Sequence, residues 1–527
     1  MRTRETGRAT LVVMLGIGVS RVFGLVREQV VAFYFGRAAT YSAFVAAYKI
    51  PNFVRVLLGE GDLSASFIPV LAERMRSADS EEARRLARSV LGLVLLVVGV
   101  VTIVGMVTAP LLAWVVAPGF DPELRALVAR LIVILFPTSV FMVAGAWCMG
   151  VLHTHGRFFW PNMAPLFWSI VSAGALIAFV GRTPWDPIWI LAWGVVAGSA
   201  VQLAVQLPAT LTVLGTLAPR GGWSDPGVRR VVALFLPMLV GTGVAQISTL
   251  VDVQIATFLG NEGVATLAYA QRLYTLPLSL FGVAITQVAL PTFAHQAVAE
   301  GAAGAAAPEA GVAIVPGRIG EELGRSWRRM AYFVLPSSLG LAAFGRPAVS
   351  LLFEHGAFDV GDTTAVTWVL AAYAAGLLAY ASTRLFATAF YALQDTRTPV
   401  RVALVALAAN VVLGVALAWR LGTPGIALAT ALASTLNGVI LARRLRRRLG
   451  ALFAPGIWAS ARSMALAAAV AGLVGILPYL WVLDRWPGWG LGARLAMTAA
   501  LYGLVGAAYI LTARAFGVHP PLRRRHA

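Results

Sequence analysis

The sequence is poor in charged residues and in cysteine. Of its 527 residues, 12% are charged and 59% are hydrophobic, whereas soluble domains carry about 25% charged residues. This composition excludes a water-soluble enzyme of this length. The single cysteine, Cys148, excludes a disulfide framework and any cysteine-rich metal site.

Lysine and the acidic residues are also scarce. Lys49 is the only lysine, and it follows Tyr48 rather than a glycine, so the sequence contains no P-loop for ATP. Basic residues number 42 and acidic residues 23, which gives a net charge of +19. In a soluble protein this charge would indicate binding to nucleic acid. Here the basic residues lie between long apolar runs and act as orienting charges in a membrane, so we expect no nucleic-acid partner. The sequence also offers no motif for a metal or a cofactor, and we expect neither.

Apolar sequence is abundant instead, and the mean hydropathy is +0.79. A membrane-spanning helix needs about 20 mostly apolar residues. The chain offers fourteen such segments, so the predicted fold is an all-α polytopic membrane protein with fourteen transmembrane helices. The predicted spans are 9–35, 41–72, 88–117, 124–151, 160–181, 187–217, 229–260, 264–297, 329–353, 364–393, 399–420, 424–442, 459–483 and 492–513.

The basic residues predict how these spans are oriented. With the N-terminus in the cytoplasm, 28 of the 42 basic residues fall on the cytoplasmic side, 8 on the other side and 6 within spans. Such an excess of positive charge on one side sets the topology of a membrane protein. Both termini are therefore predicted to be cytoplasmic. The Ala- and Gly-rich segment 300–316 is predicted to be a flexible linker between spans eight and nine.

Short motifs recur in the same order in the two halves of the chain, at offsets of 238, 241 and 222 residues. They predict two six-helix bundles related by pseudo-two-fold symmetry, followed by two additional helices. Transporters built from such parallel repeats bind their substrate between the halves. The matched pairs are LLAWVVAPGFD, which ends at Asp121, with SLLFEHGAFD, which ends at Asp359; Leu152–Pro161 with Leu393–Pro399; and Phe35–Gly36 followed by Pro69 with Leu259–Gly260 followed by Pro291.

The repeat also predicts the domain organisation. Residues 1–220 are expected to form the N-terminal bundle and residues 221–450 the C-terminal bundle. Residues 451–527 would contain the two additional helices and a basic tail.

Basic residues inside the predicted spans indicate a function. An arginine at the centre of a bilayer costs about 2.5–3.5 kcal/mol on insertion scales, and the main intramembrane carboxylates are only Glu28 and Asp252. We therefore predict a wet, positively charged cavity that receives an anion, and the planar guanidinium suits a phosphate. The alternative is that these groups snorkel to headgroups or form structural salt bridges. The six residues are Arg21, Arg27, Lys49, Arg55, Arg272 and Arg384.

Acidic and polar residues supply two further hypotheses. Glu28 lies seven residues after Arg21, on the same helix face, and is predicted to orient an arginine. Asp252, with Asn410 and Thr430 as neighbours, would hold a sodium ion or a proton. A buried packing role for Asp252 is the alternative.

Several motifs resemble those of the MurJ (MviN) family, the lipid II flippases of the multidrug/oligosaccharidyl-lipid/polysaccharide exporter superfamily. The motifs are SRVFGLVRE (20–28), AAYKIPNFVR (46–55), GEGDLSASFIPVLAE (59–73), YAQRLYTLPLSLFGVAI (269–285), LLFEHGAF (351–358), AFYALQDTRTPV (389–400) and GIALATALASTLN (425–437).

The resemblance implies a transporter rather than an enzyme, located in the bacterial cytoplasmic membrane. Its substrate would be lipid II, the undecaprenyl-pyrophosphate-linked disaccharide-pentapeptide, moved from the inner to the outer leaflet for peptidoglycan synthesis. The implied partners are lipid II, membrane lipids and the cell-wall synthesis machinery.

The resemblance also implies roles for individual residues. Arg21, Arg27 and Arg272 would handle the anionic headgroup, Arg55 matches another functionally important arginine, and Glu60 would be an acid of the same motif. Together with Lys49, these four basic residues are the predicted binding residues for the pyrophosphate, and Glu28 and Glu60 are predicted to support or gate the site. The two C-terminal helices would form a groove for the lipid tail. This sequence departs from the family at Ser42, where many relatives carry an acid.

The residues leave alternatives open. An exporter of another polyprenyl-linked glycan or a cation-coupled drug antiporter would share the architecture, and a membrane scaffold would tolerate arginine replacements. Coupling to sodium or to the membrane potential is also open; moving a charge across the field is worth about 2.3 kcal/mol per 100 mV.

Overall fold

The structure is a computed structural model that describes residues 2–59, 62–76, 80–222, 224–283, 285–286, 289, 293, 317–393, 395–449 and 457–519. Regular secondary structure in these ranges is helical, without strands. Long apolar helices satisfy their own backbone hydrogen bonds, which a lipid environment requires. The predicted all-α class is confirmed.

The first half of the chain follows the order of the first six predicted spans. Several spans consist of two consecutive helices that meet at a break. The helices are α1 (Arg2–Phe35), α2 (Ala39–Leu58), α3 (Asp62–Arg76), α4 (Ser80–Val107), α5 (Ala109–Val116), α6 (Pro122–Leu135), α7 (Pro137–Thr154), α8 (Phe159–Phe179), α9 (Pro187–Ala204) and α10 (Leu207–Leu214).

The second half repeats this order and adds two helices. Its α12 continues into a short π-helical segment, Leu278–Val283. The helices are α11 (Pro226–Thr257), α12 (Gly263–Pro277), α13 (Gly317–Phe353), α14 (Val360–Ala375), α15 (Leu377–Ala392), α16 (Arg397–Leu421), α17 (Thr423–Leu449), α18 (Ile457–Arg485) and α19 (Leu491–Ala515).

Many of these helices have the length and composition of membrane spans. Within the described ranges, nine helical stretches pass this test, and the pair α14–α15, bent by 42°, makes a tenth. The order of the helices is consistent with fourteen spans, and the count of fourteen stays a prediction.

Equivalent breaks and glycines support the internal repeat. The break between α6 and α7 lies at Phe136, and that between α14 and α15 lies at Gly376, 240 positions later. Helices α1 and α11 are followed by Gly36 and Gly260, whose φ angles are 50° and 98°. Only glycine adopts such angles readily. The two halves therefore begin and bend at matching places.

Two compact units emerge from the packing, residues 1–265 with 355–359 and residues 266–354 with 360–527. In the first unit, α1 packs on α8 and α8 on α9. A core cluster joins α3, α4 and α7, with Phe67 and Trp147 fully buried. The Nε1 of Trp147 donates to the carbonyl of Ala87 at 3.0 Å. The predicted boundaries at 220 and 450 describe sequence repeats rather than these packing units, and they stay predictions.

In the second unit, the additional helices α18 and α19 pack on each other and on α13. Their shared core includes Tyr332, Phe344 and Tyr509. Helix α13 has a kink at Phe344, whose φ and ψ are −122° and 22°. Pro347 follows three residues later and cannot donate a helical hydrogen bond, which accounts for the kink.

Candidate functional site

Arg27 is held by protein groups inside the first unit. Its side chain forms an ion pair with the neighbouring carboxylate of Glu28, and both residues are buried, at 9% and 4% exposure. The guanidinium also lies over the ring of Trp168, 4.0 Å from the centroid. A cation is attracted to the negative face of an aromatic ring. Arg27 is thus both neutralised and fixed in direction.

Close packing of three helices brings Trp168 to this position. Helix α1 packs on α8, which carries Trp168, and α8 packs on α9. A Cβ added to Gly198 on α9 would lie 2.9 Å from both Cδ1 and the carbonyl oxygen of Trp168. The absence of a side chain at Gly198 therefore leaves room for the indole beneath Arg27.

Arg21 and Glu28 both lie on α1, but they differ in how far they are buried. Arg21 is exposed, whereas Glu28 is buried against Arg27. The position of Glu28 beside Arg27 is therefore compatible with its predicted role of orienting an arginine.

Helix α2 carries the next two basic residues, Lys49 and Arg55, both partly buried. The Nε and Nη2 of Arg55 donate to Oδ1 of Asn52 at 3.1 and 2.9 Å. This fork contact fixes the guanidinium against its own helix. Glu60 lies outside the described residues.

Ser42 has a packing role. It is fully buried, and its Oγ accepts a hydrogen bond from the backbone N–H of Ala265 at 3.1 Å. The hydroxyl satisfies one of the N–H groups near the start of α12, which the helix leaves unpaired.

Arg272 lies on α12 in the second unit and is exposed. The preceding residue, Gln271, donates through Nε2 to the hydroxyl of Tyr373 at 3.1 Å. Tyr274 stacks on Tyr373 with ring centroids 4.7 Å apart. Arg272 thus sits beside a packed aromatic platform, while Arg384 is exposed on α15.

The proposed cation ligands are distributed over both units. Asp252 is buried on α11 in the first unit, and Asn410 is buried on α16 in the second. Thr430 donates its hydroxyl to the carbonyl of Ile426 at 2.9 Å. In the ranges that the structure describes, no cluster of three or more His, Cys, Asp or Glu could hold a metal ion. The sodium or proton site stays a prediction. The segment 300–316, predicted to be a flexible linker, lies outside the described residues.

Two glycine-containing loops make equivalent contacts at one end of the first unit. The N–H of Gly119 donates to Oγ1 of Thr257 at 3.0 Å, and the N–H of Ala357 donates to the carbonyl of Phe33 at 2.8 Å. Gly119 and Ala357 are 238 positions apart, and Phe33 and Thr257 are 224 positions apart. Both contacts therefore follow the sequence repeat. By the predicted topology this end is the outer one.

Gly356 allows the second of these contacts. Its φ is +62°, and a Cβ there would lie 2.4 Å from the carbonyl oxygen of Phe33. Only glycine combines this backbone angle with so close an approach.

A loop of the second unit, predicted to be cytoplasmic, holds Asp395 in a network of donors. Burial by itself would raise the pKa of this carboxyl. The N–H and hydroxyl of Thr398, together with Arg448, outweigh it and hold the pKa below its ordinary value. The Arg448 Nη1 lies 2.7 Å from Oδ2 of Asp395. The pair connects α17 to the loop before α16.

Comparison with known proteins agrees with this helix order. The family described as "Lipid II flippase MurJ" matches residues 31–498. The chain belongs to this MurJ family. The "Probable lipid II flippase MurJ" of Vibrio cholerae is 32% identical over 514 residues, which cover 95% of this chain and 94% of that protein. The "Lipid II flippase MurJ" of Burkholderia cenocepacia is 30% identical over 512 residues, covering 95% and 96%.

Solved structures show the same fold. A structure titled "Lipid II flippase MurJ, inward closed conformation" matches with a TM-score of 0.73 at 21% identity, over 95% of this chain and 99% of that one. An inward-facing MATE family transporter of the MOP superfamily matches with a TM-score of 0.65 at 15% identity, over 82% and 95%. The chain is thus a multi-pass membrane protein with the transporter fold.

Two contacts that hold the arginines of this MurJ family member, those of Trp168 and Asn52, were not among the residues expected from the sequence. Trp168 lies in an apolar span with no charged neighbour in sequence, so nothing marks it as the support of Arg27. Asn52 lies three residues before Arg55, a spacing that places both on one helix face. That spacing was a usable signal.

Proposed function

We propose that this chain moves lipid II from the inner to the outer leaflet of the bacterial inner membrane by alternating access. Membership of the MurJ family over residues 31–498 is the observation that carries the proposal. The two relatives named as lipid II flippases match this chain over nearly their whole length. Transport by a change in access needs no covalent chemistry on the substrate.

The basic residues predicted within the spans would handle the diphosphate of the headgroup. Arg27 is pre-oriented by Glu28 and Trp168, so little side-chain entropy remains to be lost on binding. Arg21 and Arg272 are exposed, so their guanidinium groups are accessible to an anion. Arg55 and Lys49 would add positive charge from α2.

The equivalent outer-end contacts support the mechanism. The loop Gly119–Asp121 contacts the end of α11, and the loop Gly356–Phe358 contacts the end of α1. In the proposed cycle these two repeated contacts would hold the outer end closed and would part together. With both termini cytoplasmic, as the arginine distribution predicts, the headgroup would enter from inside and leave after these contacts part.

Energy coupling belongs to the same proposal. Either the membrane potential or a sodium ion near Asp252 would drive the cycle, and the cell-wall synthesis machinery would consume the product.

The first experiment tests the arginines. The chain is produced in bacteria depleted of their own flippase, and lipid II in the outer leaflet is measured by cleavage with an added enzyme that cannot cross the membrane. We expect Arg27→Ala and Arg272→Ala each to lower this signal at least about tenfold, because each removes a charge-assisted contact. The control is Arg401→Gln, an exposed arginine on α16. Unchanged flipping in both alanine variants, at normal expression, would falsify the assignment.

The second experiment tests the outer contacts with a pair of glycines. Gly356 and Gly422 have φ angles of +62° and +66°, but a Cβ at Gly422 would meet nothing within 4 Å. Alanine at either position strains the backbone by about 1–3 kcal/mol, and only Gly356→Ala also pushes against Phe33. We expect Gly356→Ala to lower flipping far more than Gly422→Ala. Equal rates for the two variants would contradict a role for this contact.

A further inference from the structure

A small basic cavity lies at one end of the second unit, where α13 begins and α19 ends. Its volume is about 170 Å³. Four of its lining residues follow one another at helical spacings of three, one and three, which place them on a single face of α13. The lining residues are Arg325, Arg328, Arg329, Tyr332, Val518 and His519.

Little negative charge balances this cavity. Glu322 forms an ion pair with Arg325 at 3.0 Å. Arg328 and Arg329 have no acidic partner among the residues that the structure describes. The Nε of Arg328 is buried, and within the same described part of the chain it has no hydrogen-bond partner. Two guanidinium groups are thus available to an anion.

The floor of the cavity contains a second group in need of a partner. Tyr332 is 4% exposed, and its hydroxyl is buried without a hydrogen-bond partner among the described residues. Its ring meets that of Tyr509 edge-to-face at 5.5 Å, which fixes its direction. Arg514 lies within electrostatic range of the hydroxyl. A buried hydroxyl is normally satisfied, and an acceptor oxygen in the cavity would satisfy this one.

The surroundings indicate which anion would enter. At this end of the unit, Leu511 on α19 and Phe516 just after its last residue are 64% and 46% exposed, as expected for a surface in contact with lipid chains. By the predicted topology, this end faces the cytoplasmic leaflet, whose anionic lipids attract basic pockets between helices. The volume fits a single phosphate group rather than a disaccharide-peptide headgroup.

We propose that this cavity binds the phosphate of an anionic phospholipid of the inner leaflet, with Arg328 and Arg329 on the phosphate and Tyr332 donating its hydroxyl. The bound lipid would brace the start of α13 against the end of α19, the last of the two additional helices. The site is separate from the arginines assigned to the transported headgroup.

The test uses the full-length protein in phosphatidylcholine nanodiscs, with phosphatidylglycerol as the probe. Bound lipid is counted by native mass spectrometry, and thermal unfolding is followed in parallel. We expect phosphatidylglycerol to bind and to raise the unfolding temperature. Arg329→Gln should weaken this binding about tenfold, because it removes one charge-assisted contact. Arg401→Gln, which removes an exposed arginine elsewhere in the same unit, should leave it unchanged.

Tyr332→Phe provides a second variant that keeps every charge and removes only the hydroxyl. We expect it to weaken phosphatidylglycerol binding several-fold while the protein without the lipid unfolds at the same temperature or higher. Equal binding by Arg329→Gln, Tyr332→Phe and Arg401→Gln would overturn the proposal. The choice of ligand would be wrong if inorganic phosphate gave the same stabilisation, or if the variants lost lipid II binding but kept phosphatidylglycerol.

Discussion

Two arginine–carboxylate pairs in this protein differ in their surroundings. The side chains of Arg27 and Glu28 are 11% and 6% exposed, whereas those of Arg448 and Asp395 are 51% and 17% exposed. Water therefore screens the second pair far more than the first. The same chemistry should therefore matter much more at the buried pair, because a lone charge left there would have no solvent to stabilise it.

The largest expected effect comes from removing the buried carboxylate. Glu28→Gln leaves Arg27 buried without its counter-charge, and breaking such a pair costs about 3–5 kcal/mol. We expect a large fall in unfolding temperature, measured on the purified protein in detergent. A fall no greater than that of Asp395→Asn would show that burial does not separate the two pairs.

A smaller effect should follow from changing the aromatic support of Arg27. Trp168→Leu keeps an apolar side chain but removes the ring face 4.0 Å from the guanidinium. The loss should be about 0.5–2 kcal/mol of unfolding free energy for the cation–π contact. Trp168→Phe retains a ring and should recover part of it. If the Trp168→Leu and Trp168→Phe variants have equal unfolding free energies, packing rather than the cation–π contact fixes the indole.

The surface pair should contribute less, and its contribution should depend on pH. Its lowered pKa means that Asp395 stabilises the fold above the carboxyl's unfolded pKa of about 3.9, and that this contribution is lost as the pH falls through the folded pKa. Asp395→Asn should cost about 0.5–1 kcal/mol at neutral pH. The difference from the unsubstituted protein should shrink as the pH falls through the folded pKa of Asp395, which lies below the ordinary carboxyl value. A difference that persists in acid would assign the loss to hydrogen bonding by Asp395 instead.

The smallest effect on stability is expected at Arg272. This residue is exposed, so Arg272→Gln should change the unfolding free energy by no more than about 0.5 kcal/mol. Flipping should nevertheless fall sharply. A large loss of stability would place Arg272 with the buried pair, as a structural residue.

Much of the architecture could be predicted from the sequence, for reasons that are local or periodic. Apolar runs of span length, broken by arginines, predict helices and their order, since lipid admits few other structures. The repeat was visible in the motifs around Asp121 and Asp359, and the contacts of Gly119 and Ala357 follow it. The position of Asn52 beside Arg55 was within reach of the same reasoning.

The parts that could not be predicted depend on segments far apart in the chain. The cation site of Asp252, Asn410 and Thr430 stays a prediction, because the three residues come from separate helices and the sequence carries no information on the distances between them. The sequence also gives no partner for Ser42, whose hydroxyl accepts a hydrogen bond from the backbone N–H of Ala265. A single sequence does not encode which faces of two remote helices meet.

The sequence by itself determined that this is an all-helical membrane protein with an internal repeat and with arginines inside its apolar spans, because these properties follow from hydropathy and charge along one chain. Only the tertiary structure decided that Arg27 lies on Trp168 and that Arg328 and Tyr332 border a basic cavity. These placements depend on the close approach of helices at positions such as Gly198, where a missing side chain sets the distance.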